Sequence, residues 1–571
     1  METPSITSSS SYSLLTDPFL QFPTETSVKV VWFTEFPGVD HKIVYGDNLD
    51  KIAIANTTKL SRIREDEGSK ITPSYSQTTP RDIWRHEGEV TGLIPGVRMP
   101  YQVISAVEEN ATQNNIIKSQ IFSLTSLPKP KQALKILLTS DHQLMPMVAA
   151  NLQKVVETIG QVDAIFFAGD LVNIADRASE WFDDQRGGAF FPCLQGRGNY
   201  MLEKEGNTTL YHGGKLIQYA PLFPTIGNHE VMGRFLENTR LNQQFVEAIP
   251  YEVANKIYLQ KASQINHNNN IQIKQNWIKN NSFNTDTYQE IFSLPKNNGN
   301  NQNYYTVTFG DIRLVVLQVT NIWRSPSLEP NVKGRYQESQ QDLNNPENWG
   351  YGQHIFEPIK KGSSQYQWLE KELNSQEFKQ AKYKIVMFHH PVHTLGGNIV
   401  PAYTDPLPNI NYNQDGNIEA IRYEYPKEND YIIRDLMPLL ETAKVNLVFF
   451  GHSHLWNRFL SPSGINFLES SNVGNSYGAH LGDNKRPIPP NYSKKNYREI
   501  GNPNGLEPII PNLNPLRDEN NNPLPYIASN DITIFSILDT EKGTISSYRF
   551  DTRQGNSEVI KFDEFTILRG Y

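Results

Sequence analysis

Five short apolar runs, each followed at once by a polar motif, constrain the fold of this chain more than any other feature of its sequence. Runs such as Ala164–Ala168 and Leu447–Phe450 are typical of buried strands, and Ser364–Leu373 and Tyr431–Thr442 have helical spacing. Strands that alternate with helices predict a layered α/β domain. The five motifs are Asp141-His142-Gln143, Gly169-Asp170-Leu171-Val172-Asn173, Gly227-Asn228-His229-Glu230, His389-His390-Pro391 and Gly451-His452-Ser453-His454.

All five motifs stand at the carboxyl ends of predicted strands. Open α/β sheets place their ligand sites at these ends, so we expect the motifs to converge on one point. Their carboxylate, amide and imidazole groups suit Mn, Fe or Zn. Because Cys193 is the only cysteine, an intrachain disulfide and a multi-cysteine metal site are excluded.

The chain before the α/β pattern is predicted to be all-β. Turn and strand spacing favour a fibronectin type III-like sandwich over residues 12–127, with Tyr101 as a tyrosine-corner residue; the alternative is a generic antiparallel sheet. A stiff linker at Leu127-Pro128-Lys129-Pro130 precedes a catalytic domain over residues 132–571. The predicted strands are Ser27–Thr34, Lys42–Tyr45, Glu87–Leu93, Tyr101–Val107 and Ser119–Leu124.

Two polar segments within the second domain are predicted to be irregular surface insertions. Gln264–Asn303 contains 13 Asn among its 40 residues, and Pro487–Tyr526 is rich in Pro and Asn. Neither carries enough apolar side chains to form a core.

The composition of the chain limits the kinds of partner that it is expected to bind. The formal net charge is −8 and no basic tract is present, which argues against a nucleic-acid-binding surface and a polybasic membrane anchor. No apolar run is long enough for a transmembrane helix, and Met1–Thr16 lacks the features of a signal peptide, so we expect a cytoplasmic protein. The oligomeric state is not predicted.

The ordered motifs resemble those of the calcineurin-like metallophosphoesterase superfamily, and the preceding sandwich makes the chain most similar to the purple acid phosphatase branch. The resemblance implies a four-layer α/β/β/α sandwich with two transition-metal ions, Fe, Mn or Zn. It also implies that Asp170 bridges both ions. Carried over by position, the first ion takes Asp141 and His454, and the second takes Asn228, His389 and His452.

The same resemblance places His229 beside the substrate phosphate, where it would stabilise the transition state or protonate the leaving alkoxide. Glu230 would orient His229, the alternative being a solvated surface acid. Purple acid phosphatases have Tyr in place of Asn173, so the ferric preference and the purple colour are not implied. Gln143 is expected to bind the first ion through its amide oxygen, or else to support the ligands from behind; Asn173 is the less favoured ligand.

A second histidine of the purple acid phosphatases falls near Asn398 here, so that second acid is missing. His390 or His393 could replace it, or could serve in packing. Substrate-recognition residues are expected in the loops after the motifs. Trp181, Arg234, Trp323 and Arg324 could line a pocket there, and the alternative is that they pack the loops.

The favoured function is phosphomonoester hydrolysis of a small phosphorylated substrate by a metal-activated hydroxide, in the manner of an acid phosphatase. The alternatives are a phosphodiesterase or nucleotide pyrophosphatase, and a non-catalytic binding protein with a decayed site. The full set of Asp, Asn and His ligands speaks against decay.

Overall fold

The computed structural model describes residues 12–110, 113–297, 303–325, 327, 329, 331–397, 402–489 and 492–568. Its N-terminal part is β-rich. The strands there are β1 (Phe19–Gln21), β2 (Ser27–Thr34), β3 (Asp40–Tyr45), β4 (Lys51–Lys59), β5 (Arg64–Glu65), β6 (Thr79–Pro80), β7 (Trp84–Thr91), β8 (Met99–Asn110), β9 (Gln113–Lys118) and β10 (Phe122–Leu124).

The N-terminal strands form the predicted sandwich, with β4 shared between its two sheets. Residues 51–54 of β4 pair with β3, whereas residues 55–59 pair with β7. The strand order is β1-β2-β7-β4-β3-β8-β10, and β9 adds to β8. The sequence pattern did not indicate β4, because its side chains are mostly exposed on both faces and show no apolar alternation.

Strand β2 joins the sandwich to the rest of the molecule because both of its faces are buried. Val30 and Trp32 pack inside the sandwich, whereas Val31 and Phe33 belong to the core of the α/β part. Tyr101 is not a tyrosine corner: its hydroxyl donates to the carbonyl of Gln218, in the α/β part, at 2.7 Å.

The α/β part contains the strands β11 (Lys135–Thr139), β12 (Ala164–Phe167), β13 (Tyr200–Lys204), β14 (Asn207–Tyr211), β15 (Leu222–Pro224), β16 (Tyr305–Phe309), β17 (Ile312–Val316), β18 (Thr320–Trp323), β19 (His354–Phe356), β20 (Tyr383–Met387), β21 (Leu407–Tyr412), β22 (Ile418–Glu424), β23 (Leu447–Phe450), β24 (Trp456–Leu460), β25 (Asn466–Ser470), β26 (Tyr526–Ile527), β27 (Ile532–Asp539), β28 (Thr544–Asp551) and β29 (Ile560–Thr566). Its helices are α1 (Val148–Ile159), α2 (Ala178–Phe182), α3 (Phe190–Leu194), α4 (Leu241–Phe245), α5 (Tyr251–Ile265), α6 (Ile271–Asn280), α7 (Asp286–Ile291), α8 (Ser364–Leu373), α9 (Gln376–Gln380) and α10 (Met437–Thr442).

Two sheets, in the orders β15-β12-β11-β27-β28-β29 and β16-β17-β20-β23-β25-β24-β26, form the centre of the α/β part. Strand β20 shows why they stack. Ile385 and Met387 enter the core shared with the first sheet, while Val386 faces the cluster that contains Leu369 of α8 and Leu440 of α10. Period-2 burial on both faces requires a layer on each side. The predicted four-layer α/β/β/α arrangement is confirmed.

The Asn-rich segment is more regular than predicted. It includes the end of α5, all of α6 and α7, and residues 298–302, which lie outside the described part of the chain. Helix α6 is capped by Asn270, whose side chain accepts from the backbone N–H groups of Gln272 and Ile273. Asparagine at an N-cap satisfies the unpaired amides of the first turn. Where it is described, the Pro-rich segment is irregular up to β26, as predicted. In the described residues, no helix has the length and apolar character needed to cross a membrane.

Candidate metal centre

The five motifs meet at one edge of the two central sheets. Strands β11, β12 and β15 run parallel, as do β20 and β23 in the other sheet, so their carboxyl ends lie together. The side chains brought into this cluster belong to Asp141, Gln143, Asp170, Asn228, His389, His452 and His454, and they are all buried. In the described chain, ligand atoms of Asp170, His389 and His452 lie within 4.8 Å of one another.

His389 has the hydrogen-bond pattern of a metal-binding histidine. Its Nδ1 lies 2.7 Å from the carbonyl of Ala168, which can only accept, so Nδ1 donates and Nε2 is left for the cluster. Nε2 lies 3.2 Å from both Asp170 Oδ2 and Asn228 Oδ1. Burial alone would lower the pKa of His389, but the Asp170 carboxylate outweighs it and raises that pKa to about 10. The cluster therefore favours a positive charge at this point.

His454 shows the same arrangement on the other side of the cluster. Its Nδ1 lies 2.5 Å from Asn475 Oδ1, and its Nε2 lies 3.3 Å from Asp141 Oδ1. The other oxygen of Asp141 accepts from the backbone N–H of His452 at 2.9 Å and from the hydroxyl of Ser140. Asp141 is thus held with one oxygen beside the imidazole of His454.

Gln143 gives an independent test of whether a cation fits. Its Nε2 donates to Asp170 Oδ2 at 2.9 Å, whereas its buried Oε1 has no hydrogen-bond partner in the described structure. A buried oxygen of this kind costs about 1–3 kcal/mol when it is left unsatisfied. The residues therefore fit a metal ion bound by oxygen and imidazole ligands.

The backbone at the cluster is strained. Asp141, Gln143, Asp170, His452 and His454 have positive φ angles of 55°, 44°, 58°, 86° and 53°. Residues other than glycine adopt this conformation at a cost of about 1–3 kcal/mol each, and they concentrate at functional sites. Packing and hydrogen bonds around the cluster must hold these five residues in place.

Two motif glycines allow the strand-end loops to approach the carboxylates. A Cβ atom at Gly227 would lie 2.2 Å from Asp170 Oδ1, and one at Gly451 would lie 2.3 Å from Asp141 Oδ2. Any larger residue at these positions would displace a carboxylate of the cluster.

His229 lies at the edge of the cluster. Its Nδ1 is 2.7 Å from the carbonyl of Asn173, and its ring stacks on Phe245 at 5.2 Å. Its Nε2 is 3.9 Å from Asp170 Oδ2, and 22% of its side chain is exposed. A partly exposed ring beside the Asp170 carboxylate is accessible to a ligand from solvent.

Glu230 does not orient His229, and it is not a surface acid. Its buried carboxylate accepts backbone N–H groups from Gly227 at 2.7 Å, Asp170 at 2.9 Å and Leu171 at 2.7 Å. Burial and the nearby Asp170 charge raise the pKa of Glu230, while the N–H groups of Leu171 and Gly227 oppose the rise. The residue ties two motif loops together.

Arg324 performs the complementary task. All five of its N–H groups have partners: they donate to the carbonyls of Asn228, Trp323, Val231 and Phe245 at 2.8–3.2 Å. Its guanidinium also lies 3.3 Å from the centre of the Phe245 ring. Arg324 therefore supports the loop of Asn228 from beneath and does not line the substrate pocket.

The two histidines considered as a replacement acid, His390 and His393, are packed among other side chains. His390 is buried among Phe356, Tyr403 and His452 at ring distances of 4.9–5.2 Å. His393 packs on Phe467 at 4.6 Å and bonds Asn502, and burial lowers its pKa to about 4. Asn398 lies outside the described residues.

Asn173 is also turned away from the ligands. Its side-chain Nδ2 donates to the carbonyl of Gln143 at 2.6 Å, and its backbone N–H donates to Glu180 at 2.7 Å. These bonds fix the carbonyl that holds His229. Asn173 thus acts through the backbone, as a support for two site residues.

Sequence reasoning missed Asn475 and Tyr477. The first holds His454, and the ring of the second lies 4.6 Å from the His454 ring with 65% of the residue exposed. The buried strand Asn466–Ser470 runs parallel to β23, so the polar run that follows it begins at the same sheet edge as the motifs.

The other three residues considered for the pocket lie in different surroundings. The indole of Trp323 meets the His452 ring edge-on at 4.6 Å, so it borders the cluster. Trp181 is fully buried and donates to the carbonyl of Ala175, which makes it a core residue. Arg234 pairs with Glu247 at 3.0 Å.

The two-sheet fold and the strand-end cluster together define a metallophosphoesterase. The model of the family described as calcineurin-like phosphoesterase matches residues 134–455, more than half of the 571-residue chain. The chain belongs to the calcineurin-like phosphoesterase family. This membership supports a metal-dependent phosphoester hydrolase.

Comparison with a solved purple acid phosphatase agrees on the fold. Purple acid phosphatase PPD1 from yellow lupin (Lupinus luteus) seeds matches with a TM-score of 0.52 and 13% identity, over 96% of this chain and 73% of that chain. GAP50, the anchor in the inner membrane complex of Plasmodium, matches with a TM-score of 0.29 and 11% identity, over 76% of this chain and 89% of that chain. A search of curated protein sequences gives no match.

Proposed function

We propose that this protein is a dinuclear-metal phosphomonoesterase of the acid phosphatase type, acting on small phosphate esters. The observation that carries the proposal is the matched pair His389 and His454. Each ring is positioned to donate Nδ1–H to a fixed oxygen, and each aims Nε2 at a buried carboxylate. The two rings point at different carboxylates of one cluster, Asp170 and Asp141, as two neighbouring ion sites would require.

The ligands of the proposed centre fall into two groups that share Asp170. Asp141, Gln143 and His454 would hold one ion. Asn228, His389 and His452 would hold the other, and Asp170 would bridge the two. When bound, two ions of Fe, Mn or Zn supply Lewis-acid polarisation of the phosphoryl group and lower the pKa of a water that attacks it.

The chain's own residues then bind the ester and move its proton. Asn228 offers an amide beside the phosphoryl position. His229 is held through Nδ1 by the Asn173 carbonyl, so the ring, when protonated, presents Nε2–H to the leaving oxygen. Burial lowers the pKa of His229, and the Asp170 carboxylate opposes this shift, so protonation is favoured at acid pH. Donation of this proton lets an alkoxide depart as an alcohol. The stack on Phe245 keeps the ring in that orientation.

The test combines metal analysis with two substrates. Protein saturated with Mn, Fe or Zn should retain about two ions per chain and hydrolyse a chromogenic phosphomonoester faster than the matching diester. Faster diester hydrolysis would replace the proposal with a phosphodiesterase. A folded protein that retains no metal and cleaves neither ester would leave only a binding role.

A further inference from the structure

A pocket beside His229 is walled partly by the segment that joins β5 to β6 in the N-terminal part of the chain. The cavity has a volume of about 370 Å³ and is lined by Gly68, Asn173, Ile174, Arg177, Glu180, Arg186, His229, Asn242 and Phe245. Gly68 lies in the connection between β5 and β6, and the other lining residues belong to the α/β part. The β5–β6 segment, which forms a two-stranded sheet of its own, therefore reaches the edge of the proposed active site.

Buried ion pairs fix the β5–β6 segment to this wall. Arg177 donates to Asp66 at 3.0 Å and to Glu180 at 2.8 Å. Arg64 donates to Asp176 at 3.0 Å. Removing one partner of a buried pair leaves an uncompensated charge, so these contacts hold the domains in one relative position.

Gly68 fits this wall because of its size. A Cβ atom there would lie 2.8 Å from Arg177 Nη2. Arg177 and Glu180 satisfy each other at the base of the pocket, and both oxygens of Glu180 are occupied, by Arg177 and by the backbone N–H groups of Asn173 and Ile174. Both oxygens of Glu180 are therefore turned to donors, and its charge is paired with that of Arg177.

The groups that face a ligand in this pocket are N–H donors. Arg186 is half-exposed and uses Nε and Nη2 to bind Asp184, both at 2.8 Å, so in the described structure its Nη1 has no hydrogen-bond partner. Asn242 is exposed and uses its Oδ1 to accept from Arg177, which leaves its amide N–H groups for a ligand. Guanidinium and amide donors recognise anionic oxygen groups.

We propose that this pocket binds the leaving group of the substrate and selects esters whose leaving group carries an anionic oxygen group, either a carboxylate or a second phosphoryl group. The inference rests on the proposed function, because it places the leaving group on the His229 side of the metal centre. Arg186 is the specificity-determining residue. The β5–β6 segment of the N-terminal part serves as one wall of the substrate site.

The test compares two small esters that differ only in this charge. Phosphoglycolate has a carboxylate on its leaving group, and 2-hydroxyethyl phosphate has a neutral hydroxyl. The wild-type enzyme should prefer phosphoglycolate in kcat/KM, and Arg186→Gln should reduce the preference about tenfold, the factor that corresponds to 1.4 kcal/mol. Hydrolysis of ADP relative to AMP distinguishes phosphoryl from carboxylate recognition in the same variant.

Arg553→Gln is the matched control. Arg553 is also half-exposed, and it also binds the aspartate two residues before it through Nε and Nη2, but it follows β28, outside this pocket. Arg553→Gln should leave the preference for phosphoglycolate unchanged. An equal loss on both esters in Arg186→Gln, with normal metal content, overturns the pocket proposal alone. A wild-type protein that hydrolyses neither ester when saturated with metal overturns the proposed function instead.

Discussion

Replacing His229 and His389 separately by alanine should produce two different failures. His389 Nε2 lies within 3.2 Å of atoms from three other cluster residues, Asp170, Asn228 and His452. His389→Ala should therefore lower metal occupancy and the rate together. His229 Nε2 stands 3.9 Å from Asp170, and the ring is held from the opposite side. His229→Ala should retain the metal and lose mainly kcat.

The magnitude for His229→Ala follows from its role. Loss of a general acid costs about 10²–10⁴ in rate, or about 2.7–5.5 kcal/mol. The folded state should lose less, because a stacked aromatic pair contributes about 0.5–1.5 kcal/mol. In His229→Ala, the Asn173 carbonyl would accept a hydrogen bond from water in place of the imidazole, because Asn173 borders the 370 Å³ pocket.

The assay compares an alkyl phosphate with 4-nitrophenyl phosphate, alongside metal analysis of each variant. The alkyl ester should suffer the larger loss, because nitrophenolate departs without a proton. His212→Ala is the control, since His212 also places Nδ1 at a carbonyl, that of Gly198 at 2.8 Å, but its side chain is on the surface. Equal losses on both esters would refute the general-acid role. Loss of metal from His229→Ala would refute the ligand assignment.

Three further predictions concern the support of the centre. Glu230→Gln should lower metal affinity and kcat at least tenfold, because one of the three backbone N–H groups that Glu230 accepts would then face an amide N–H. Titration of metal into the apoprotein measures the affinity, and an unchanged affinity would contradict the prediction. Arg324→Lys should lower kcat at least tenfold while the thermal transition of the sandwich stays unchanged, because an ammonium group cannot supply five donors in a plane. A variant with the wild-type kcat would contradict the supporting role assigned to Arg324. Removal of metal by a chelator should lower the thermal midpoint, because the buried Asp141 and Asp170 lose their cation; a midpoint unaffected by metal in a scanning calorimeter would count against the centre.

Much of the fold was predictable because its central strands are apolar runs that stop at polar motifs. Strand β4 escaped prediction because both of its faces are largely exposed, so it carries no period-2 signal. Helix α6 escaped because it buries only Ile278 and is surrounded by asparagine, a composition typical of loops. Local capping by Asn270 specifies the start of this helix, and composition averaged over 40 residues conceals it.

The cluster itself was predictable because its ligands come from side chains in ordered motifs. Its supports were not, because their partners are backbone atoms. The backbone carbonyl of Asn173 accepts a hydrogen bond from His229, and a backbone contact of this kind cannot be predicted from the residue type at position 173. Asn475 was missed for a different reason: its strand was not recognised, so the polar run after it was not placed at the sheet edge.

The supports of Asn228 and His229 follow one physical rule that sequence patterns do not display. Glu230 accepts hydrogen bonds from backbone N–H groups of the two motif loops. Arg324 donates to the backbone carbonyls of Asn228, Val231 and Phe245. A buried carboxylate needs donors, and a buried guanidinium needs acceptors, so each charge draws the backbone into a single conformation. The strained backbone of Asp170 is then stabilised by bonds that exist only in the folded chain. These two charges therefore fix the turn that carries the proposed acid.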